Sequence, residues 1–228
     1  MGKKIKSTSI TSKVDRSLIS KFPNDLLYKP PKYMVSSIEL ISPQIITIEN
    51  FFNDDFLKTL INSFSKLNLE TTPLIKSKDY ALRYNDRISL NDSKSSSNLW
   101  NYLYPLLINS DIEFIIKEFE NSKGLNPNLR VYRYEKGHHF NKHYDESVTV
   151  STSNLKGITK WTLLIYLTGD EQLVGGDTVF YESKNNVINI HPKSGMALLH
   201  KHGDDCLLHE AELVQRGIKW VLRSDVVF

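Results

Sequence analysis

His143-Tyr144-Asp145 is followed, 64 residues after Asp145, by His209 and then by Lys219, in the run Lys219-Trp220-Val221-Leu222-Arg223, and this pattern decides the fold. Two histidines and a carboxylate are the set that holds a mononuclear non-haem iron by one face and leaves the other positions open. Side chains two apart on a strand point the same way, so the His-x-Asp step predicts a strand on which His143 and Asp145 converge on one ion. The third ligand must arrive from a distant strand. His209, closing the short apolar run Cys206-Leu207-Leu208-His209, meets that need, and a turn at Arg216-Gly217 separates it from the strand carrying Lys219. A buried lysine needs an anion and an open iron face needs a chelating co-substrate; 2-oxoglutarate supplies both, its keto-acid end for the metal and its far carboxylate for the ammonium.

From Leu129 to Phe228 further pieces fall in a fixed order. They are Tyr134-Glu-Lys-Gly137, the strand Trp161-Thr-Leu-Leu-Ile-Tyr-Leu167, Gly175-Gly176-Asp177-Thr178 with Phe180, Gly195-Met-Ala-Leu-Leu, and Gly217-Ile-Lys219-Trp-Val-Leu-Arg223-Ser-Asp-Val-Val-Phe228. With the His-x-Asp pair and His209, these resemble the 2-oxoglutarate and Fe(II)-dependent dioxygenases, specifically their prolyl 4-hydroxylase-like branch. The resemblance implies an α+β, mainly β fold, a double-stranded β-helix (jelly roll, cupin-like) with supporting N-terminal helices. It implies His143, Asp145 and His209 as metal ligands and catalytic residues, and Lys219 as the anchor of 2-oxoglutarate. Tyr134, nine residues before the first histidine, and Thr178 match family positions at the co-substrate, and Arg223 is a second anchor or a support for the site. Fe(II), 2-oxoglutarate and dioxygen follow as cofactors, with ascorbate as an accessory. The implied reaction hydroxylates a C–H bond and releases succinate and carbon dioxide.

The chain also departs from that family. Phe140 stands where many relatives have a tyrosine, Gly137-His138 replaces Gly-Gln, and Glu210-Ala-Glu-Leu-Val lacks a proline before Val214. None touches the ligands, but all lie where the substrate is chosen. Within the family, the substrate is a protein residue such as proline, a small molecule or, third, an alkylated nucleic acid. Outside it stand a catalytically inert cupin-like metal-binding protein and a zinc hydrolase, neither of which has a stated need for a buried lysine.

Other histidines compete. His200 and His202 also stand two apart, near Asp204 and Asp205, but only His209 has a lysine ten residues downstream. His138 and His139 read as exposed residues of the turn before His143. Gly175 and Gly176 read as backbone devices for a tight turn or a close approach.

With 228 residues, 40% hydrophobic and 24% charged, the chain suits one enzyme domain over 38–228, its catalytic core at 129–228. Residues 1–37 read as a basic, flexible arm and linker. Residues 1–22 carry six basic side chains against one acidic, a net +5, which leaves −2 of the whole chain's +3 for the rest. Lys3-Lys4-Ile5-Lys6 suits nuclear import or a polyanion, while a solvated terminus is the plainer reading. The single cysteine, Cys206, excludes an internal disulfide and suits a reducing, cytoplasmic or nuclear location; no apolar run is long enough to span a membrane.

Ahead of the core, Ile38-Glu-Leu-Ile and Ile45-Ile-Thr-Ile48 predict strands. Phe56, Leu57, Leu60, Ile61 and Phe64 after Asn53-Asp54-Asp55 predict a helix. Leu99-Trp100-x-x-Leu103 and Ile112 to Phe119 predict two more, and residues 91–98, Asn-Asp-Ser-Lys-Ser-Ser-Ser-Asn, an exposed loop.

Overall fold

Along the strand Lys156–Tyr166, Trp161, Leu163 and Ile165 point to one side and Thr162, Leu164 and Tyr166 to the other. The same alternation runs through its neighbours and divides the protein into layers. In the computed structural model, which describes residues 22–72 and 81–228, ten strands form one antiparallel sheet. Its main path runs Ser37–Ser42, Ile45–Glu49, Ala197–Lys201, Lys156–Tyr166, Lys219–Val227, Asn128–Tyr134, Asp86–Asn91, Glu70–Thr71. A five-stranded sheet runs Val187–Ile190, Thr178–Tyr181, Leu208–Ala211, His139–His143, Arg83–Tyr84.

The two sheets share one apolar cluster. Tyr132, Tyr134, Tyr166, Leu198 and Val221 from the large sheet meet Phe180 and Ile190 from the small one, which is the jelly-roll packing expected of the sequence. On the opposite face of the large sheet, Leu129, Val131, Trp161, Leu163, Leu199 and Leu222 pack against the helices. Trp161 also donates its Nε1–H to Glu118 at 3.0 Å, tying sheet to helix.

The three predicted helices are present as Asp54–Phe64, Ser93–Ile108 and Glu113–Phe119. The first is capped as its sequence suggests, Asn53 accepting from the Phe56 N–H at 3.1 Å. The loop expected at 91–98 is corrected: residues 93–98 are the opening turns of the second helix. Asp92 is its N-cap, accepting from the Ser95 N–H at 2.9 Å and the Ser95 hydroxyl at 2.8 Å, so Ser95 and Ser96 are buried against the body. A serine-rich run reads as loop by composition, but a single capping carboxylate turns it into a helix start.

The boundary of the arm also shifts. Phe22, Leu26 and Tyr28 are buried in the helical layer, Phe22 edge-on to Phe64 at 5.7 Å, so 22–28 belong to the body rather than to a flexible segment ending at 37. The basic patch of residues 1–21 lies outside the described residues. Among the described residues no helix is long and apolar enough to cross a membrane.

Candidate active site

Register brings the distant ligands together. His209 on Leu208–Ala211 is the direct cross-strand partner of His143 on His139–His143, and their rings lie 4.2 Å apart. Asp145 is not on the strand, as the His-x-Asp spacing predicted, but two residues past its end. It is held there by its backbone: its N–H donates to the Cys206 sulfur at 3.3 Å and its carbonyl accepts from Gly203 N–H at 2.8 Å. The convergence survives. The Asp145 carboxylate lies 3.8 Å from Nε2 of both His143 and His209, and the three offer ligand atoms within 4.8 Å of one another.

The ring orientations suit a metal. His143 Nδ1 faces the Asn141 carbonyl at 2.8 Å and His209 Nδ1 the Leu207 carbonyl at 2.9 Å. A carbonyl can only accept, so Nδ1 carries the proton in both rings and each Nε2 lone pair faces the cluster. Burial, with His209 adjacent, pushes His143 down to about 3, and burial lowers His209 as well, so both rings are neutral, the form in which imidazole can bind a metal. Burial alone would raise Asp145, but the Arg223 guanidinium and the nearby histidines overcome it and hold the carboxyl well below the usual range. A second cluster, His200, Cys206 and His209, shares His209. It fits a metal poorly, because burial pushes the Cys206 thiol up to about 11, away from the thiolate a metal needs.

A small cavity open to solvent adjoins the triad and is also lined by Leu164, Thr178, Ala211 and Val221 from the two sheets. Lys219 is part of its lining. The side chain is 2% exposed, and its Nζ donates to the Gly176 carbonyl at 2.5 Å. Among the described residues no carboxylate lies within 4 Å of it. Burial pushes it down to about 7 despite the pull of Asp177 and Glu212. A buried ammonium facing a cavity without a paired anion fits an anionic ligand. The backbone allows that closeness: Gly175 and Gly176 have φ of 71° and 75°, and a Cβ on Gly175 would lie 2.4 Å from the Leu213 carbonyl oxygen.

The remaining candidates separate. Thr178 lines the cavity and shares a 2.7 Å hydrogen bond with the Tyr166 hydroxyl. Tyr134 pairs with Lys219 across the strands, its ring 5.5 Å from Nζ, while Tyr132, on the same strand face, lines the cavity itself. Arg223 also lines the cavity but is engaged with Asp145, Nη2 to Oδ2 at 2.9 Å and Nη1 to Oδ1 at 3.3 Å, and with Asp225 at 3.3 Å. Its contacts are those of a support rather than of an anchor. Phe140, expected from the sequence not to touch the ligands, stacks on His143 at 3.5 Å between ring centres because it lies on the same short strand, and the Arg83 guanidinium is 3.8 Å from its ring centre. His138, expected exposed, is buried against Tyr84 because the turn folds back beneath the Arg83–Tyr84 strand.

Sequence reasoning passed over His200. It is 2% exposed, lines the cavity, and has its Nε2 3.9 Å from the Asp145 carboxylate. Its position facing Thr162 across two strands is the signal that could have found it, and that register is not visible in spacing alone.

Solved structures that share this fold include three prolyl hydroxylases. The chain is similar to a viral collagen prolyl hydroxylase from Paramecium Bursaria Chlorella virus-1, at 21% identity and TM-score 0.55 over 80% of this chain and 95% of that one. It is similar to a Trichoplax adhaerens prolyl hydroxylase in complex with a hypoxia inducible factor oxygen degradation domain peptide fragment, at 15% and 0.56, over 82% and 85%. A Pseudomonas putida prolyl-4-hydroxylase matches at 13% and 0.54, over 81% and 92%. No curated protein matches the chain. Residues 129–224, which carry the triad and the cavity-lining strands, match the model of the 2OG-Fe(II) oxygenase superfamily.

Proposed function

We propose that this enzyme hydroxylates a side chain of a protein substrate, proline foremost, with Fe(II) held by His143, Asp145 and His209 and 2-oxoglutarate anchored by Lys219. The observation that carries the reading is the placement of a buried ammonium in the lining of one cavity with two Nε2 lone pairs and a carboxylate. Fe(II) with 2-oxoglutarate supplies oxidative decarboxylation of the co-substrate to succinate and carbon dioxide, coupled to hydroxylation of a C–H bond. The protein's residues do the rest. Lys219 neutralises the distal carboxylate in a place that water does not reach, and Thr178 with Tyr166 bounds the cavity beside it. Arg223 keeps the Asp145 carboxylate charged and oriented. Phe140, in contact with Arg83 and His143, gives the cavity an apolar wall beside the ligands, suited to a pyrrolidine ring.

The fold shared with prolyl hydroxylases, one of them in complex with a peptide, supports a protein substrate. The experiment is succinate formation with Fe(II), ascorbate and 2-oxoglutarate in the presence of proline-rich peptides, with mass spectrometry locating the added oxygen. A gain of one oxygen on proline is expected. Peptides left unmodified while a small molecule or an alkylated oligonucleotide stimulates succinate release would overturn the substrate reading.

A further inference from the structure

Behind Asp145 runs a chain of hydrogen bonds with a fixed direction. The Val148 N–H donates to Thr159 Oγ1 at 2.9 Å, and Thr159 Oγ1 meets His202 Nε2 at 2.9 Å. His202 Nδ1 then meets Thr162 Oγ1 at 3.0 Å, and Thr162 Oγ1 donates to Asp145 Oδ2 at 3.1 Å. The directions follow from the chemistry of the last member. A carboxylate accepts only, so the one hydroxyl proton of Thr162 is committed to Asp145 and its lone pairs are left for His202 and for Arg223 Nη2, 3.3 Å away. His202 must therefore present Nδ1–H to Thr162, which makes Nε2 the acceptor for the Thr159 hydroxyl. His202 is 4% exposed and burial lowers its pKa, in keeping with a neutral ring.

We propose that Thr162 and His202 are positioning residues for the carboxylate of the metal site: with Arg223, whose Nη2 meets Oδ2 and whose Nη1 meets Oδ1, they fix the orientation in which Asp145 faces the histidines. The inference rests on the reading of His143, Asp145 and His209 as the metal ligands. Arg223 is itself fixed from behind, by Asp225, which also pairs with Arg130. The carboxylate is thus clamped by groups that are bonded in turn, the arrangement that sets the orientation of a ligand to a metal and commonly changes metal affinity ~10- to 100-fold when a member is removed.

The test titrates the full-length protein with Co(II), followed by its visible absorption, in wild type, Thr162→Val, Thr162→Ser and His209→Ala. Thr162→Val keeps the shape and removes the hydroxyl, so a ~10- to 100-fold weaker Co(II) affinity is expected. Thr162→Ser is expected to restore it to within a few-fold, and the affinity of the Co(II)-loaded protein for 2-oxoglutarate to stay unchanged in both. Unaltered Co(II) affinity in Thr162→Val, or no recovery in Thr162→Ser, would overturn the proposal. Co(II) binding that persists in His209→Ala would instead overturn the ligand assignment beneath it. Ring ¹⁵N shifts of His202 in the metal-free wild type give a second measurement, independent of how any variant folds: the Nδ1–H tautomer is expected, and the Nε2–H tautomer would contradict the relay.

Discussion

The two faces of the large sheet are built from the same strands and do opposite work. On the helix side, Trp161, Leu163, Leu199 and Leu222 are fully buried apolar groups with apolar neighbours. One residue along each strand, on the cavity side, stand Thr162, Leu164, His200, Val221 and Arg223, with Lys219 beginning the last strand. The first face is stabilised by burial of apolar area. The second buries an ammonium, a guanidinium, a carboxylate and several imidazoles, which is unfavourable for folding unless each is paired. Among the described residues Lys219 has no carboxylate within 4 Å, whereas Arg223 and Asp145 pair with each other, which suits an anionic ligand beside Lys219. The helix side buries apolar groups, whereas the cavity side combines its own apolar cluster with these polar groups.

That contrast can be broken from either side. Trp161→Ala should lower stability by about 3–5 kcal/mol in urea unfolding, since it opens a cavity and removes the hydrogen bond to Glu118. Its residual folded fraction should keep normal co-substrate affinity; a variant of full stability would show that the helical layer is not the stabilising face. Lys219→Met should act in reverse. Affinity for 2-oxoglutarate should fall by about 2–5 kcal/mol, because the distal carboxylate is left buried and unpaired. The ligand-free melting temperature should hold or rise, because a desolvated cation has been removed. A destabilised Lys219→Met protein with normal co-substrate binding would place the anchor elsewhere, Arg223 being next.

A smaller effect comes from pH. Lys219 is pushed down to about 7 in the folded protein from an ordinary 10.5, so between those values the unfolded chain holds a proton that the folded one has released. Its contribution to stability should therefore rise with pH from about 7 to 10.5 in the ligand-free protein. Binding of a carboxylate needs that proton back. Above pH 7, calorimetry in buffers of different ionisation enthalpy should record proton uptake with 2-oxoglutarate and a falling affinity, both absent in Lys219→Met. Uptake that persists in the variant would assign the proton to another group.

The smallest effect belongs to residues 1–21, read from sequence as a basic tail. Their removal should leave melting and uncoupled succinate formation unchanged, and an early melt would show that they pack on the body. Phe22→Ala, one residue further, should cost about 3–5 kcal/mol because that ring is buried against Phe64.

What the sequence made legible was whatever one element states by itself. The Asn53 cap and the spacing of Phe56, Leu60 and Phe64 locate a helix, and the order of His143, Asp145, His209 and Lys219 gives the family resemblance. What it hid depends on partners far along the chain. His200 and His202 stand two apart and look alike, yet one lines the cavity and the other sits behind Thr162, because the Ala197–Lys201 strand ends between them. Asp145, off the strand, keeps its place beside the two histidines through backbone bonds to Gly203 and Cys206, the latter 61 residues away in sequence. The serines at 93–97 became helix because Asp92 could cap them.

The central claim, one metal held by the triad with 2-oxoglutarate beside it, is tested most directly by anaerobic titration of the metal-free protein with Fe(II) and excess 2-oxoglutarate, following the visible absorption of the iron and keto-acid chelate. Wild type should develop the band with one equivalent of Fe(II), and Asp145→Ala and His209→Ala should not develop it at the same concentrations. A band of full intensity in either variant, or none in the wild type, would contradict it.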